Sequence, residues 1–442
     1  MSLFRRRPSF HGGYWFAQPR DAGAESIGDI SPTAPLVVPL AEGSGPPASP
    51  VVEAGQAVAP GQLIAQNEEQ DGLPAHAPVA GTVVEIGRVD TADACDVPAI
   101  VIAPDPVRRV EPQSVGPPLS DRPGLDELIE RLSAAGVINT VGNRPLGEQL
   151  AQARRQLIHH VIVNSIESQP LLTAQQRQLS EQPTDVLDAA EMIRHALGAR
   201  RLWLTIPDTS RRLIRTLQQC CRGHPARPVA LTPKYPQESP VMLAHTLLGV
   251  ALSPGRNVLE AGVLVVDVAT ALAAGRAVRY GQAQTHRVLT VGGDAAERPG
   301  CYLVAVGTSL ADVCEHVGLR GPLGRVVVGG LMTGLAVPDL STVVTRTTLA
   351  VLFLSQSWSG RPIACVRCGA CIDHCPVGLA PASLLSAFEL DQADVSELYP
   401  EACVECGACS LVCPSHLPLL LAAQRLKARV SVARRPGEAT SP

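Results

Sequence analysis

Cys365-Val366-Arg367-Cys368-Gly369-Ala370-Cys371-Ile372-Asp373-His374-Cys375-Pro376 is repeated in kind by Cys403-Val404-Glu405-Cys406-Gly407-Ala408-Cys409-Ser410-Leu411-Val412-Cys413-Pro414. Each stretch spaces its cysteines as C-x2-C-x2-C-x3-C and ends on proline. Three thiolates two residues apart, on a tight turn helped by Gly369 or Gly407, can meet three corners of one iron–sulfur cubane. The fourth cysteine follows one helical turn later and points away.

This is the bacterial ferredoxin spacing, in which the fourth cysteine serves the other cluster. The expected ligands are therefore Cys365, Cys368, Cys371 and Cys413 for one [4Fe-4S] cluster, and Cys403, Cys406, Cys409 and Cys375 for a second. Cross-ligation of this kind sets two clusters side by side. Zinc is the alternative, but zinc sites usually show paired C-x2–4-C elements. Between Cys375 and Cys403 lie 27 residues, most of helical pattern, as at Ala382 to Leu390. With a second helical pattern from Leu417 to Val430, this predicts a helical two-cluster ferredoxin domain. The apolar tail helix is read as packing on the clusters rather than docking to a membrane partner. His374 and His416 flank the cysteines and are read as solvent-facing. Cys95, Cys220, Cys221, Cys301 and Cys314 have no metal spacing and receive no role.

The chain has 442 residues, long enough for about three domains. Its net charge of −4 and 3% aromatic content exclude a nucleic-acid surface. Thirteen cysteines, an odd number, argue against a disulfide framework. Arg5, Arg6 and Arg7 precede no apolar leader segment, so a reducing, cytoplasmic setting is expected. The apolar stretch from Val258 to Val278 is broken by Glu260, Asp267 and Arg276, so no membrane span is predicted. Lysine is nearly absent: Lys234 and Lys427 are the only two. Little is left for Schiff-base, lipoyl or biotinyl chemistry.

Residues 1–30 read as an irregular segment. Over 31–104, prolines and glycines punctuate short β-branched runs, at Leu36 to Val38, Val51-Val52, Val83 to Ile86 and Ile100 to Ile102. That pattern implies a small all-β module. Two half-motifs, Val52 to Ala65 and His76 to Val83, resemble the barrel-sandwich fold of lipoyl and biotinyl domains. The segment has no lysine to modify, so it is a structural module, and His76 in its hairpin region is read as structural. Residues 105–122 form a Pro-rich linker. Residues 123–278 alternate helices with strands such as Val161 to Asn164, Arg201 to Ile206 and Val263 to Val266, predicting a parallel sheet covered by helices. A smaller β-grasp-like unit (SLBB-type) is expected over 279–355, and the ferredoxin-type domain over 356–442. The fold class is thus multidomain α/β plus β.

The order of these parts resembles the C subunit of the Rnf/Rsx ion-translocating electron transport complex. The resemblance is carried by His11-Gly12-Gly13, by the barrel half-motifs and by Lys234-Tyr235-Pro236-Gln237. Arg298-Pro299-Gly300, Gly329 to Gly334 and the two cysteine runs complete it. The middle of that family is similar to the flavin subunit of respiratory complex I. The resemblance implies oxidation of NADH at an FMN and electron flow through two [4Fe-4S] clusters to other subunits. It also implies a peripheral position on the cytoplasmic side of the cell inner membrane, and ferredoxin or NADH as redox partner.

Three departures fall on nucleotide-facing motifs. The family's G-x-G-G-x-x-F-P-T loop appears here as Gly136 to Pro145, without the glycine pair that lets backbone N–H groups approach phosphate. Its N-x-x-E-C-E-P motif appears as Asn164 to Pro170, keeping Glu167 but carrying Gln169. The family's Gly-Gly-Glu after Gln237 is replaced by Glu238-Ser239-Pro240. The electron-wire motifs are intact. The expectation is a relay with weakened or lost FMN and NADH binding, Arg144 being a surface arginine. The competing readings are an NADH dehydrogenase with a divergent FMN site, a soluble cobalamin-reductase-like flavoprotein, and a docking subunit whose α/β region is a scaffold.

Overall fold

The computed structural model describes residues 9–17, 26–43, 45–67, 72–105, 107, 110–357 and 360–433. Arg5, Arg6 and Arg7 and part of the expected linker lie outside them. The chain divides into two compact units: residues 1–17, 231–261 and 358–442, and residues 18–230 and 262–357.

The larger unit begins as a sandwich of two small antiparallel sheets. Leu36–Pro39, Val97–Pro104, Gly81–Val89 and Ala57–Val58 form one, in that order; Ser49–Pro50, Leu63–Gln66 and Ala75–His76 form the other. Val38, Val58, Ile64, Val83, Ile100 and Ile102 fill the space between them. Strands this short are stable only because alternate residues share one core. Val51-Val52, expected as strand, falls just past Ser49–Pro50. The Val51 amide still bonds the Ile64 carbonyl, while Val52 turns into the core.

A four-stranded sheet follows, ordered Ala226–Leu231, Arg201–Pro207, His160–Asn164, Val263–Asp267, the last three strands being parallel. All five residues of Val263–Asp267 are buried, as a strand covered on both faces requires. Pro183–Ala196 and Val268–Tyr280 are two of the covering helices. Asn164 lies in register with Thr205 and Asp267, so three polar residues meet at the carboxyl ends of three strands. That edge is where open α/β sheets place ligands.

The third sheet of this unit is mixed. Its order is Gly28–Ile30, Gly300–Ala305, His286–Gly292, Ala350–Leu354, Arg325–Val328, Leu335–Val337. The helix Leu310–Val317 supplies Leu310, Val313 and Val317 to its core. The N-terminal segment expected to be irregular contributes the strand Gly28–Ile30, parallel to Tyr302–Val304. Three residues are too few for a periodicity to show, and only the tertiary partner makes them a strand.

The smaller unit is helical, with Pro240–Leu248, Ala370–Asp373, Pro381–Glu389, Ala408–Leu411 and Leu419–Ala433. Residues 231–261, expected within the 123–278 stretch, pack here with the cysteine-rich residues instead. Tyr235 explains why. It forms a bridge with Tyr14, is 1% exposed, and its hydroxyl donates to the Cys406 carbonyl. No helix among the described residues is long and apolar enough to cross a membrane.

Candidate metal centre

The two cysteine runs have matching backbones. Arg367 and Glu405 both take positive φ, at 54° and 56°, and Gly369 and Gly407 follow at 79° and 74°. Each pair reverses the chain, so a short helix starts straight after the glycine, at Ala370–Asp373 and Ala408–Leu411. The amide of Arg367 points at Cys365 Sγ and that of Glu405 at Cys403 Sγ, both at 3.4 Å. The Leu379 amide reaches Cys375 Sγ at 3.2 Å. Such N–H groups favour an anionic sulfur.

Cys375 lines one small cavity together with Cys403, Cys406 and Cys409. The walls include Val377, Leu379, Leu384, Leu420 and Ala423, so the cavity is apolar apart from its thiols. Cys413 packs with Leu385, Leu419 and Ala422, against Cys371 and Cys409. Cys365 and Cys368 are exposed. Among the described residues no three His, Cys, Asp or Glu side chains converge tightly enough for a single metal ion. A cubane needs no such convergence, because each thiolate takes its own iron corner. The donor set, two runs of four thiolates at C-x2-C-x2-C-x3-C spacing, fits two cubanes.

Burial pushes the Cys406 and Cys409 thiols up to about 12, with neighbouring cysteines adding to it. Burial also raises Cys403 and Cys371. Iron held by these thiols would displace their protons, so loading would release acid.

The cysteines are held by groups to which sequence alone assigned no role. Lys234 Nζ donates to the Phe10 carbonyl and stands 4.3 Å over the Phe10 ring centroid. The Gly13 amide bonds the His374 carbonyl at 2.9 Å, and a Cβ on Gly12 would lie 2.6 Å from the Cys375 oxygen. Residues 10–16 thus form a strap that only glycine lets lie flat on Cys375. Lys427 Nζ donates to the Cys403 carbonyl at 2.7 Å. Both lysines of the chain serve this unit, and their rarity was the available signal. His374 Nδ1 lies 2.9 Å from the Ala370 carbonyl, and His416 is exposed.

The nucleotide-facing motifs are spent on internal bonds. Asn139 Nδ2 donates to Gln149 Oε1 at 2.8 Å and to the Val265 carbonyl at 2.9 Å. Thr140 donates its hydroxyl to Asp267, which also accepts from Gln175 Nε2 at 3.0 Å and the Thr270 amide at 2.6 Å. Glu167 accepts the amides of Gln175 and Gln176 at the start of the helix Ala174–Glu181. Gln169 accepts the Met332 amide at 3.1 Å and donates to Thr333 at 3.0 Å, fastening the 329–334 loop. Arg144 turns to Glu148 at 3.5 Å and Gln152 at 3.4 Å. Pro145, at the head of the helix Leu146–Ala153, has no amide to offer a phosphate. These residues do not fit a phosphate cradle. His76 is buried in the sandwich, as a structural residue would be.

Family models match three segments: the RnfC barrel sandwich hybrid domain at 8–106, the Nuo51 FMN-binding domain at 132–276 and the 4Fe-4S dicluster domain at 364–417. The C subunit of the Pseudomonas aeruginosa ion-translocating oxidoreductase complex is 34% identical over 355 residues, 79% of this chain and 46% of that protein. The chain is similar to this C-subunit family over most of its length. The Rhodobacter capsulatus relative is 28% identical over 78% of this chain and 68% of its own length. The C subunit of the proton-translocating ferredoxin:NAD(+) oxidoreductase complex of Clostridium ljungdahlii is 29% identical over 85% of this chain and 83% of its own length. The chain spans about half the length of the Pseudomonas protein. In fold it is similar to an NAD+-reducing [NiFe]-hydrogenase, with TM-score 0.50 and 17% identity over 71% of this chain and 62% of that one. The barrel sandwich, the flavin-subunit-type α/β domain and the dicluster domain expected from sequence are therefore present in this chain.

Proposed function

We propose that this chain is the electron-transfer subunit of an Rnf/Rsx-type membrane complex, working with other subunits that couple redox to ion transport. The observation that carries the reading is the pair of matched cysteine runs, with Cys375 of the first run in the cavity of the second. It supports Cys365, Cys368, Cys371 and Cys413 as ligands of one [4Fe-4S] cluster, and Cys403, Cys406, Cys409 and Cys375 as ligands of the other.

When bound, two such clusters pass single electrons between partners. The chain's own part is to hold the thiolates, to exclude water with Leu379, Leu384 and Leu420, and to aim amide N–H groups at sulfur. With Cys365 and Cys368 exposed, the first cluster is the one a partner can reach, and the more buried set holds the second inside. We read the chain as peripheral on the cytoplasmic side of the inner membrane, attached through other subunits. The sheet order of 286–354, with a helix between two hairpins, supports the β-grasp-like reading of that segment.

We infer that FMN is not held. Glu167, Gln169 and Asn139 are committed to bonds within the chain, so electrons enter from a ferredoxin or a partner flavoprotein. The second reading, an NADH dehydrogenase with a divergent FMN site, is favoured by the match to the Nuo51 FMN-binding domain. An anaerobic preparation separates the two. About eight irons per chain, no flavin and no response to NADH support the relay. Bound flavin bleached by NADH supports the dehydrogenase. Zinc in place of iron would sink both.

A further inference from the structure

In a chain with only two lysines, one sits in an ion pair against the second cysteine run. Lys427, on the helix Leu419–Ala433, reaches Glu405 Oε1 at 2.6 Å and the Cys403 carbonyl at 2.7 Å. Glu405 is held from its other oxygen by Gln424 Nε2 at 3.1 Å. Its own amide points at Cys403 Sγ. The pair is about two-thirds withdrawn from solvent, with side chains 30% and 40% exposed. Both charges are thus fixed in direction and distance relative to one thiolate. In the first run the matching position is Arg367, which is exposed.

We propose that Lys427 and Glu405 are positioning residues that set the redox potential of the cluster held by Cys403, Cys406, Cys409 and Cys375, with opposite sign. The proposal rests on the two-cluster reading above. Reduction adds one electron and one negative charge to a cluster. A fixed ammonium nearby stabilises the reduced form and raises the midpoint; a fixed carboxylate lowers it. Because Lys427 is bonded to the Cys403 carbonyl and the Glu405 carboxylate to Gln424, neither charge can relax away when its partner is neutralised. The first cluster, ringed by the exposed residues 361–368, is screened from the pair by water. The two clusters then answer separately to charge changes on this helix.

The test is an EPR-monitored redox titration of the full chain carrying its iron. The wild type must show two one-electron transitions and about eight irons; fewer would overturn the two-cluster reading before any variant is made. With both present, Lys427→Gln lowers one midpoint, changing the reduced-to-oxidised ratio at fixed potential roughly threefold or more. Glu405→Gln raises that same midpoint. Lys427→Arg, which keeps the charge, stays near the wild type. The proposal is overturned if both neutral variants move the midpoint the same way, if both clusters move together, or if neither moves. If Lys427→Gln loses iron, Glu405→Gln decides alone, since it keeps the bond from Lys427 to the Cys403 carbonyl. An upward shift then supports the proposal; no shift, a downward shift or loss of iron overturns it.

Discussion

The hydroxyl of Tyr235 donates a hydrogen bond to the backbone carbonyl of Cys406. Tyr235 is 1% exposed, and burial keeps its phenol protonated, so the donor is permanent. Phe16 covers its ring edge-on at 5.8 Å. Tyr235→Phe removes the donor and leaves a buried carbonyl short of a partner, a cost of about 1–3 kcal/mol. The expected outcome is faster iron release to a chelator. Unchanged release would show that the bond does not hold the second run.

Cross-ligation makes a specific demand. Cys375→Ala takes a ligand from the cluster bound mainly by the second run, and Cys413→Ala takes one from the first. Each variant should lose or convert one cluster, with iron falling from about eight toward about four or seven. EPR of the surviving cluster should differ between the two. Identical survivors would refute the assignment.

Gly12 has φ +67°, and any Cβ there would press on the Cys375 carbonyl. Gly12→Ala combines left-handed strain of about 1 kcal/mol with that clash. The strap must lift, and the second cluster should become oxygen-sensitive first. Aerobic decay of the two EPR signals measures this; equal decay rates would count against it.

Arg346 is the buried clamp of the larger unit. Its guanidinium pairs with Glu42 and donates to the carbonyls of Pro74 and Gly136, both at 3.0 Å. Arg346→Met strands Glu42 and two carbonyls, and should cost about 3–5 kcal/mol. Urea unfolding should show the loss, while the paired change Arg346→Met with Glu42→Gln recovers part of it.

His76 is held neutral. Burial first, and the Arg346 charge second, pull it from 6.5 to about 4. The unfolded chain therefore binds the extra proton between these values. Stability from this group is fully present above about pH 6.5 and is lost as pH falls toward 4, by at most about 3 kcal/mol. His76→Gln should flatten that part of the stability profile. A slope that survives the change would assign it elsewhere.

The cysteine runs could be read from sequence because their chemistry is local. Spacing, a glycine with positive φ and a following helical turn lie within one short run, so no distant partner is needed to recognise them. The buried strands of the parallel sheet were legible for a related reason: runs such as Val263 to Val266 are covered on both faces and carry no polar residue. Tertiary structure decided what sequence could not. Gly28–Ile30 is a strand only beside Tyr302–Val304. Residues 231–261 leave the α/β stretch because Tyr235 finds its partner at Cys406, 171 positions along the chain. Lys427 gains its meaning only when its helix brings it to Glu405 and Cys403. A single side chain that acts across such a distance leaves no period and no spacing, so its role becomes visible only when the chain has folded.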